Sequence, residues 1–194
     1  MPKTRLETFS DGVLAIIIIT IMVLELKVAH GEGLDALRPL LPVFFTYVLS
    51  FVYIGIYWNN HHHMMHVVTR VTGGVLWANL NLLFWLSLFP FVTGWMGENH
   101  FARLPTALYG CVLLMAAISY TMLTVAIVNE EGRESVLARA IGSDLKGKLS
   151  IVAYAVAILL CFVSHWIAAA IYILVALAWL VPDRRIERML TPPA

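Results

Sequence analysis

Charged residues are scarce in this sequence, because Asp, Glu, Lys and Arg make up only 13% of its 194 residues, whereas 60% are hydrophobic. A soluble globular domain carries about 25% charged residues, so the deficit excludes an ordinary water-soluble fold and predicts a protein of the lipid bilayer. The net charge is +1 and the basic residues are scattered along the chain. We therefore expect the bilayer, and no nucleic acid, among its partners.

Cysteine is also scarce, since the chain contains only Cys111 and Cys161. Both lie within apolar runs without the spacing of metal ligands, which favours buried packing over a disulfide or a metal site. The sequence likewise lacks a P-loop, a G-x-S-x-G motif, an H-E-x-x-H motif and a nucleotide-binding glycine pattern. With no nucleophile and base to point to, we do not expect the protein to be an enzyme.

Two features of familiar transport proteins are missing as well. No TVGYG-like segment supplies a filter of backbone carbonyls, so a pore in this protein needs another principle of selectivity. No repeat relates the two halves of the chain, which argues against an inverted-repeat secondary transporter.

Long apolar runs are what the sequence has in abundance. A membrane span needs about 20 mainly apolar residues, and six candidates occur at about 9–26, 40–60, 74–96, 105–128, 149–164 and 166–182. The last two share one apolar run with a predicted turn at Ser164–Trp166, and the polar linker 129–148 has room for a short amphipathic helix. The sequence thus predicts an all-α integral membrane protein, with a single six-helix transmembrane domain over residues 1–194.

The distribution of basic residues predicts the orientation through the positive-inside rule. The side of both termini carries Lys3, Arg5, Arg70, Arg133, Arg139, Lys146, Lys148, Arg184, Arg185 and Arg188. The opposite side has only Lys27, Arg38 and Arg103. Both termini are therefore predicted to be cytoplasmic.

The start of span one is unusually polar, because Ser10 and Asp11 stand where its apolar run begins. An ionisable side chain at a membrane boundary suggests a function, although the macrodipole alone also favours an acid near a helix N-terminus. In the predicted topology, Ser10 and Asp11 lie at the same depth in the membrane as the polar cytoplasmic ends of spans two and three. The side chains at that depth are Arg5, Ser10, Asp11, Asn59, Asn60, His61, His62, His63, His66, Asn79 and Asn81. We expect a polar belt that ties the three helices together.

Four histidines follow Trp58 in the run W-N-N-H-H-H-M-M-H. On a helix, His62 and His66 lie one turn apart on one face, a spacing that suits a metal ion. No cysteine or carboxylate lies nearby in the sequence to complete such a site. We therefore favour histidines that bond to Asp11 or to the backbone, or that face lipid headgroups, and predict no metal site. The alternative is a proton-coupled or metal-ion transporter that uses Asp11 and these histidines.

The polar start of span one resembles a known family signature. Its R-x-x-x-F-S-D pattern is similar to that of the transmembrane protein 175 family, the endolysosomal potassium channels and their bacterial relatives. The residues that carry the likeness are Arg5, Phe9, Ser10, Asp11, Trp58, His61 and His62. The resemblance implies a potassium-permeable cation channel of the plasma (inner) membrane of a bacterium. It also implies a homotetramer without a cofactor, in which four chains form the pore and span one lines it.

Under this resemblance, hydrophobic side chains of span one narrow the ion path, whereas Arg5, Ser10 and Asp11 hold the helix in place. Counted from Thr20, the pore-lining residues are Ile17, Thr20, Ile21 and Leu24. Counted from Asp11 instead, they are Ile16, Ile19, Thr20 and Val23. We prefer the first set, and a shift of one residue rotates a helix face by 100°, so the two sets exclude each other.

Overall fold

Helices form the whole framework of the protein. The computed structural model describes residues 2–25, 33–142 and 144–180, and no strand occurs within these ranges. The helices are α1 (Lys3–Glu25), α2 (Leu41–His66), α3 (Gly73–Ser87), α4 (Phe89–Glu98), α5 (Arg103–Glu131), α6 (Val136–Ile141), α7 (Leu145–Cys161) and α8 (His165–Leu180), with a 3-10 helix at Leu34–Leu40. The all-α prediction is confirmed.

Each predicted span coincides with a helix or a pair of helices. Three stretches are long and apolar enough to cross a bilayer, namely Asp35–His66, Gly73–Glu98 and Arg103–Glu131, and α8 is a shorter apolar helix. The turn at Phe162–Ser164 separates α7 from α8 close to the predicted position. Six crossings and cytoplasmic termini stay predictions, and the C-terminal arginines lie outside the described residues.

The third predicted span is broken, because α3 ends at Ser87 and α4 begins at Phe89. Pro90 stands in the first turn of α4. Proline has no amide hydrogen to donate to the carbonyl four residues earlier, and its ring crowds that carbonyl, so the helix restarts there. The predicted span 74–96 therefore corresponds to α3 and α4 together, within Gly73–Glu98.

The polar linker 129–148 contains a short helix, α6, as its composition allowed. The side chain of Ser135 accepts a hydrogen bond from the amide of Ala138 at 3.2 Å and caps α6. Asp144 caps α7 in the same way, accepting from the amide of Gly147 at 3.2 Å. Such N-caps satisfy amides that have no partner within the helix, so the linker consists of short, well-terminated elements.

The helices pack as two neighbouring groups. Helix α1 packs chiefly against α2, α3 and α4, whereas α5 packs against α3 and α7, and α7 packs against α8. The α5–α8 contact is close at Gly110, where an added Cβ would collide with the hydroxyl of Tyr172. Cys161 is buried and donates its thiol hydrogen to the carbonyl of Arg103 at 3.1 Å. Among the described residues, α1 contacts α2, α3 and α4 on one side, and several residues on its other side are exposed.

Glutamates at the end of α5 hold the connection between α2 and α3. One carboxylate oxygen of Glu131 accepts from the backbone amides of Thr69 at 2.6 Å and Arg70 at 2.9 Å. Glu130 accepts from the hydroxyl of Thr72 at 3.0 Å. We call this arrangement the loop clasp; it fixes the connection to the second group of helices.

Candidate pore helix and its polar anchor

A buried chain of hydrogen bonds joins the first three helices. The Nε2–H of His61 on α2 donates to Oδ1 of Asn79 on α3 at 2.8 Å, and Nδ2 of Asn79 donates to Oγ of Ser10 on α1 at 3.0 Å. Ser10 in turn donates to the carbonyl of Leu6 at 2.9 Å. All three polar side chains are buried. Because each donor meets an acceptor, the chain removes the cost of placing polar groups in an apolar interior.

Asp11 makes a separate contact with α2. The indole Nε1–H of Trp58 donates to Oδ1 of Asp11 at 3.0 Å. The Trp58 ring is stacked on His62, with 6.1 Å between ring centroids. The predicted bond between Asp11 and a histidine is therefore replaced by a bond to tryptophan, because the buried histidine turns toward α3.

We refer to Ser10, Asp11, Trp58, His61 and Asn79 as the polar cluster. Its existence confirms that polar groups tie the three helices together, but the predicted belt is larger than the cluster. Asn60 donates to the carbonyl of Ile56 in its own helix at 2.8 Å, and Asn81 donates to Ser119 on α5 at 2.7 Å. These two amides serve other contacts.

The remaining histidines of α2, His62, His63 and His66, lie side by side in its last turns, two to six residues beyond the predicted end of span two at residue 60. The ring centroids of His62 lie 5.7 Å from His63 and 6.3 Å from His66. Among the described residues, no three side chains of His, Cys, Asp or Glu are placed to hold a metal ion together. The carbonyl of His66 accepts from Nζ of Lys3 at 2.7 Å, which ties the start of α1 to the end of α2.

The two faces of α1 differ sharply in exposure. The face toward α2, α3 and α4 carries the buried residues Leu6, Ser10, Leu14, Ile17 and Ile21. The opposite face carries Arg5, Phe9, Gly12, Ile16, Ile19 and Val23, all exposed. Ile16 is 64% exposed and Val23 66%, against 4% for Ile17 and 0% for Ile21.

These exposures bear on the choice between the two predicted pore registers, which both stay predictions. Ile17 and Ile21, counted from Thr20, are packed inside the chain itself. Ile16 and Ile19, counted from Asp11, lie on the open face instead. Thr20, common to both registers, is half-buried between the faces, and the side chain of Leu24 lies outside the described residues.

Comparison with known proteins agrees with the motif. The family model described as the endosomal/lysosomal potassium channel TMEM175 matches residues 5–90, which contain the whole polar cluster. A potassium channel of Chryseobacterium sp. (strain P1-3) is 55% identical over 190 residues, covering 98% of both chains. The chain belongs to the TMEM175 family.

This TMEM175-family chain is also similar to a solved bacterial structure and to an animal protein. The crystal structure of a lysosomal potassium-selective channel TMEM175 homolog from Chamaesiphon minutus superposes with a TM-score of 0.80 at 28% identity. That match covers 93% of this chain and 97% of the other. The endosomal/lysosomal proton channel TMEM175 of Gallus gallus is 27% identical over 161 residues, 74% of this chain and 32% of that protein.

Proposed function

We propose that this TMEM175-family protein is a potassium-permeable cation channel, assembled as a homotetramer in the plasma (inner) membrane of a bacterium. The observation that carries the proposal is the open, apolar face of α1 in a helix whose other face is fully packed. A single α1 does not enclose a path, so several copies arranged around an axis are needed to make one, and the family resemblance implies four. The similarity to the potassium channel of Chryseobacterium and to the potassium-selective homolog of Chamaesiphon minutus supports the choice of ion.

The pore-lining residues we propose are Ile16, Ile19 and Val23, with Thr20 beside them. Positions 16, 19 and 23 follow the spacing of one helical face. At about 1.5 Å of rise per residue, Ile16 and Val23 lie about 10 Å apart along the axis. Four such helices would form successive apolar rings, which resist wetting and act as the constriction, while the hydroxyl of Thr20 would stabilise a partly dehydrated cation.

The polar cluster would act as the anchor of this constriction rather than as an ion ligand. Ser10 and Asp11 stand one turn and more before Ile16, and both are bonded to helices of the same subunit. A helix fixed there cannot rotate about its axis without breaking these bonds. The cluster therefore supports a constant pore face, as a side-chain constriction requires.

The register is tested by potassium flux in liposomes reconstituted with single-residue variants. Ile16→Ala should raise the flux per channel by about tenfold, if the smaller ring lowers the barrier by about 1.4 kcal/mol. Ile17→Ala is the matched control, because its side chain is buried beside Ile16; it should leave the flux of the folded channel nearly unchanged.

Two results would contradict the proposal at different levels. If Ile17→Ala or Leu24→Ala raises the flux and Ile16→Ala does not, the register counted from Thr20 is correct and ours is wrong. If the wild-type protein, shown to be a tetramer by light scattering, passes no potassium at any membrane potential, the channel function itself fails.

A further inference from the structure

A long groove lies between α2 and α8 on the surface of the chain. Its volume is about 780 Å³, and Met96 of α4 is part of its lining. It follows α2 from Leu41 to Val52 and α8 from Trp166 to Leu177. At about 1.5 Å of rise per residue, each of these stretches is about 16 Å long. The hydrocarbon core of a bilayer is about 30 Å thick, so the groove is about as long as one leaflet.

The groove has a buried floor and exposed apolar rims. Met96 and Tyr172 are buried in the floor. Phe45 and Trp166, on the two rims, are 61% and 62% exposed. The hydroxyl of Tyr172 already donates to the carbonyl of Thr106 at 3.3 Å, so it needs no partner in the groove. Water is held where several polar groups can bond it, so this surface favours a hydrocarbon occupant.

Polar and aromatic groups collect at one end of the groove. The rings of Phe101 and Trp166 lie 5.6 Å apart there. His100 is the only His, Lys or Arg among the described residues that line the groove. His100 and Phe101 have φ values of 51° and 59°, so the chain turns sharply after α4 at this end. Aromatic side chains favour the level of the lipid headgroups, and the predicted topology puts this end on the outer side.

The groove faces away from the proposed pore axis. Trp58 marks the side of α2 that is turned toward α1, because its indole donates to Asp11. At about 100° per residue, Val52 lies about 120° around α2 from Trp58. In a ring of subunits around α1, the groove therefore faces lipid rather than a second copy of the chain. This step rests on the proposed assembly around α1 and is independent of ion conduction.

We propose that the groove binds the acyl chains of one phospholipid of the outer leaflet, with the headgroup at the His100 end. A water molecule occupies about 30 Å³ in the liquid, so the groove has room for about 26 groups of that size. This number exceeds the carbons of one palmitoyl chain, so both chains of the lipid enter. An imidazole N–H at the mouth can donate to a phosphate or ester oxygen.

The preference for the groove comes from packing and not from hydrophobicity. An acyl chain is surrounded by apolar groups in the free bilayer as well, so transfer into the groove removes no further surface from water. Dispersion contacts with a preformed surface supply the difference. Changes in the shape of the groove should therefore alter the affinity more than changes in its polarity.

The test is native mass spectrometry of the full-length protein in detergent, titrated with palmitoyl-oleoyl phosphatidylglycerol. The wild type should retain one lipid per chain, saturably. Ala170 lines the groove, and Ala170→Trp fills part of it, so affinity should fall by about tenfold. The single-chain lysophospholipid should bind about tenfold more weakly than the lipid with two chains, because it makes fewer contacts.

Matched controls separate the groove from general lipid contact. Ala178→Trp makes the same substitution at an exposed position of α8 outside the groove, and it should bind as the wild type does. Ile16→Ala, on the proposed pore face, should also leave binding unchanged. Should Ala170→Trp fail to assemble, Phe45→Ala removes part of the rim and should lower affinity by about threefold.

Several results would overturn the inference. Equal weakening by Ala170→Trp and Ala178→Trp would indicate a general lipid shell, and unchanged binding by Ala170→Trp would place the lipid elsewhere. A lysophospholipid that binds as tightly as the lipid with two chains would exclude a groove that takes both chains. Disulfide-linked dimers of Phe45→Cys, where the wild type forms none, would show that a second copy covers the groove.

Failure of this inference and failure of the channel function have different signatures. Protein that retains the lipid but passes no potassium would contradict the channel function and leave the lipid site intact. Protein that passes potassium but retains no lipid would contradict the lipid site alone.

Discussion

The two faces of α1 carry similar apolar side chains in its second half, but one face is buried and the other is exposed. Leu14, Ile17 and Ile21 are packed inside the subunit, whereas Ile16 and Ile19 are exposed. After Asp11, hydrophobicity does not distinguish the faces, because both sides of the helix are apolar there. What distinguishes them is Ser10, whose hydrogen bond to Asn79 fixes which side of the helix turns inward. In a membrane helix, one polar contact therefore determines the environment of many apolar residues.

The largest effect that tests this contrast is on stability. Ile21→Ala removes a fully buried side chain and should lower the free energy of unfolding by about 3 kcal/mol, through lost packing and a residual cavity. Ile19→Ala, on the exposed face, is the matched control and should change it by less than about 1 kcal/mol. Thermal unfolding in detergent, followed by near-ultraviolet circular dichroism, measures both. Equal losses for the two variants would abolish the distinction between the faces.

A smaller effect on stability is expected at Asn79, whose hydrogen bond to Ser10 holds the inward face of α1. Asn79→Leu leaves the Nε2–H of His61 and the hydroxyl of Ser10 without their amide partner, which should cost about 2 kcal/mol of stability. Asn99→Ala is the control, because its side-chain amide is exposed and donates to the carbonyl of Trp95, one turn earlier at the end of α4. If both variants unfold at the same temperature as the wild type, the buried hydrogen bonds do not fix the face.

The smallest effect concerns the exposed part of the anchor. Trp58→Phe keeps an aromatic ring next to His62 but removes the N–H that donates to Asp11, so stability should fall by about 1 kcal/mol. Trp77→Phe, at an exposed tryptophan of α3, should have no comparable effect in the same unfolding assay. A loss as large as that of Asn79→Leu would mean that the exposed bond contributes as much as the buried chain.

Much of the fold follows from the sequence because apolar length and turn residues indicate helices directly. The end of α2 was predicted too early, at residue 60, because hydropathy falls at Asn59 and the histidines although the helix continues to His66. Hydropathy reports contact with lipid, whereas helix length depends on backbone bonds and neighbours. The break before Pro90 was visible in the sequence, since proline interrupts helical bonding.

The site was predictable as a group of residues but not in its pairing. Shared membrane depth brought Ser10, His61 and Asn79 together, yet imidazole, amide and carboxylate can pair in several ways, and only the packed helices select one. The inward face of α1 had a usable signal in Ser10. Residues seven and eleven positions later, Ile17 and Ile21, share its helical face, so a buried Ser10 requires that they be buried too.

Tyr57, Tyr120 and Tyr154 line one cavity between α2, α5 and α7, and this meeting could not be inferred from the sequence. Tyr57, Tyr120 and Tyr154 stand in separate apolar runs, where each is expected simply to pack. Their meeting depends on the angles at which α2, α5 and α7 cross, and no periodicity within one helix encodes such angles.

The loop clasp has a consequence for solvent exchange. Most amides of a surface connection exchange their hydrogens quickly, because nothing holds them away from water. Here the amides of Thr69 and Arg70 both donate to one oxygen of Glu131. Deuterium uptake should therefore be slow at the amides of Thr69 and Arg70. The connection between α2 and α3 would then be protected from exchange by a carboxylate of α5.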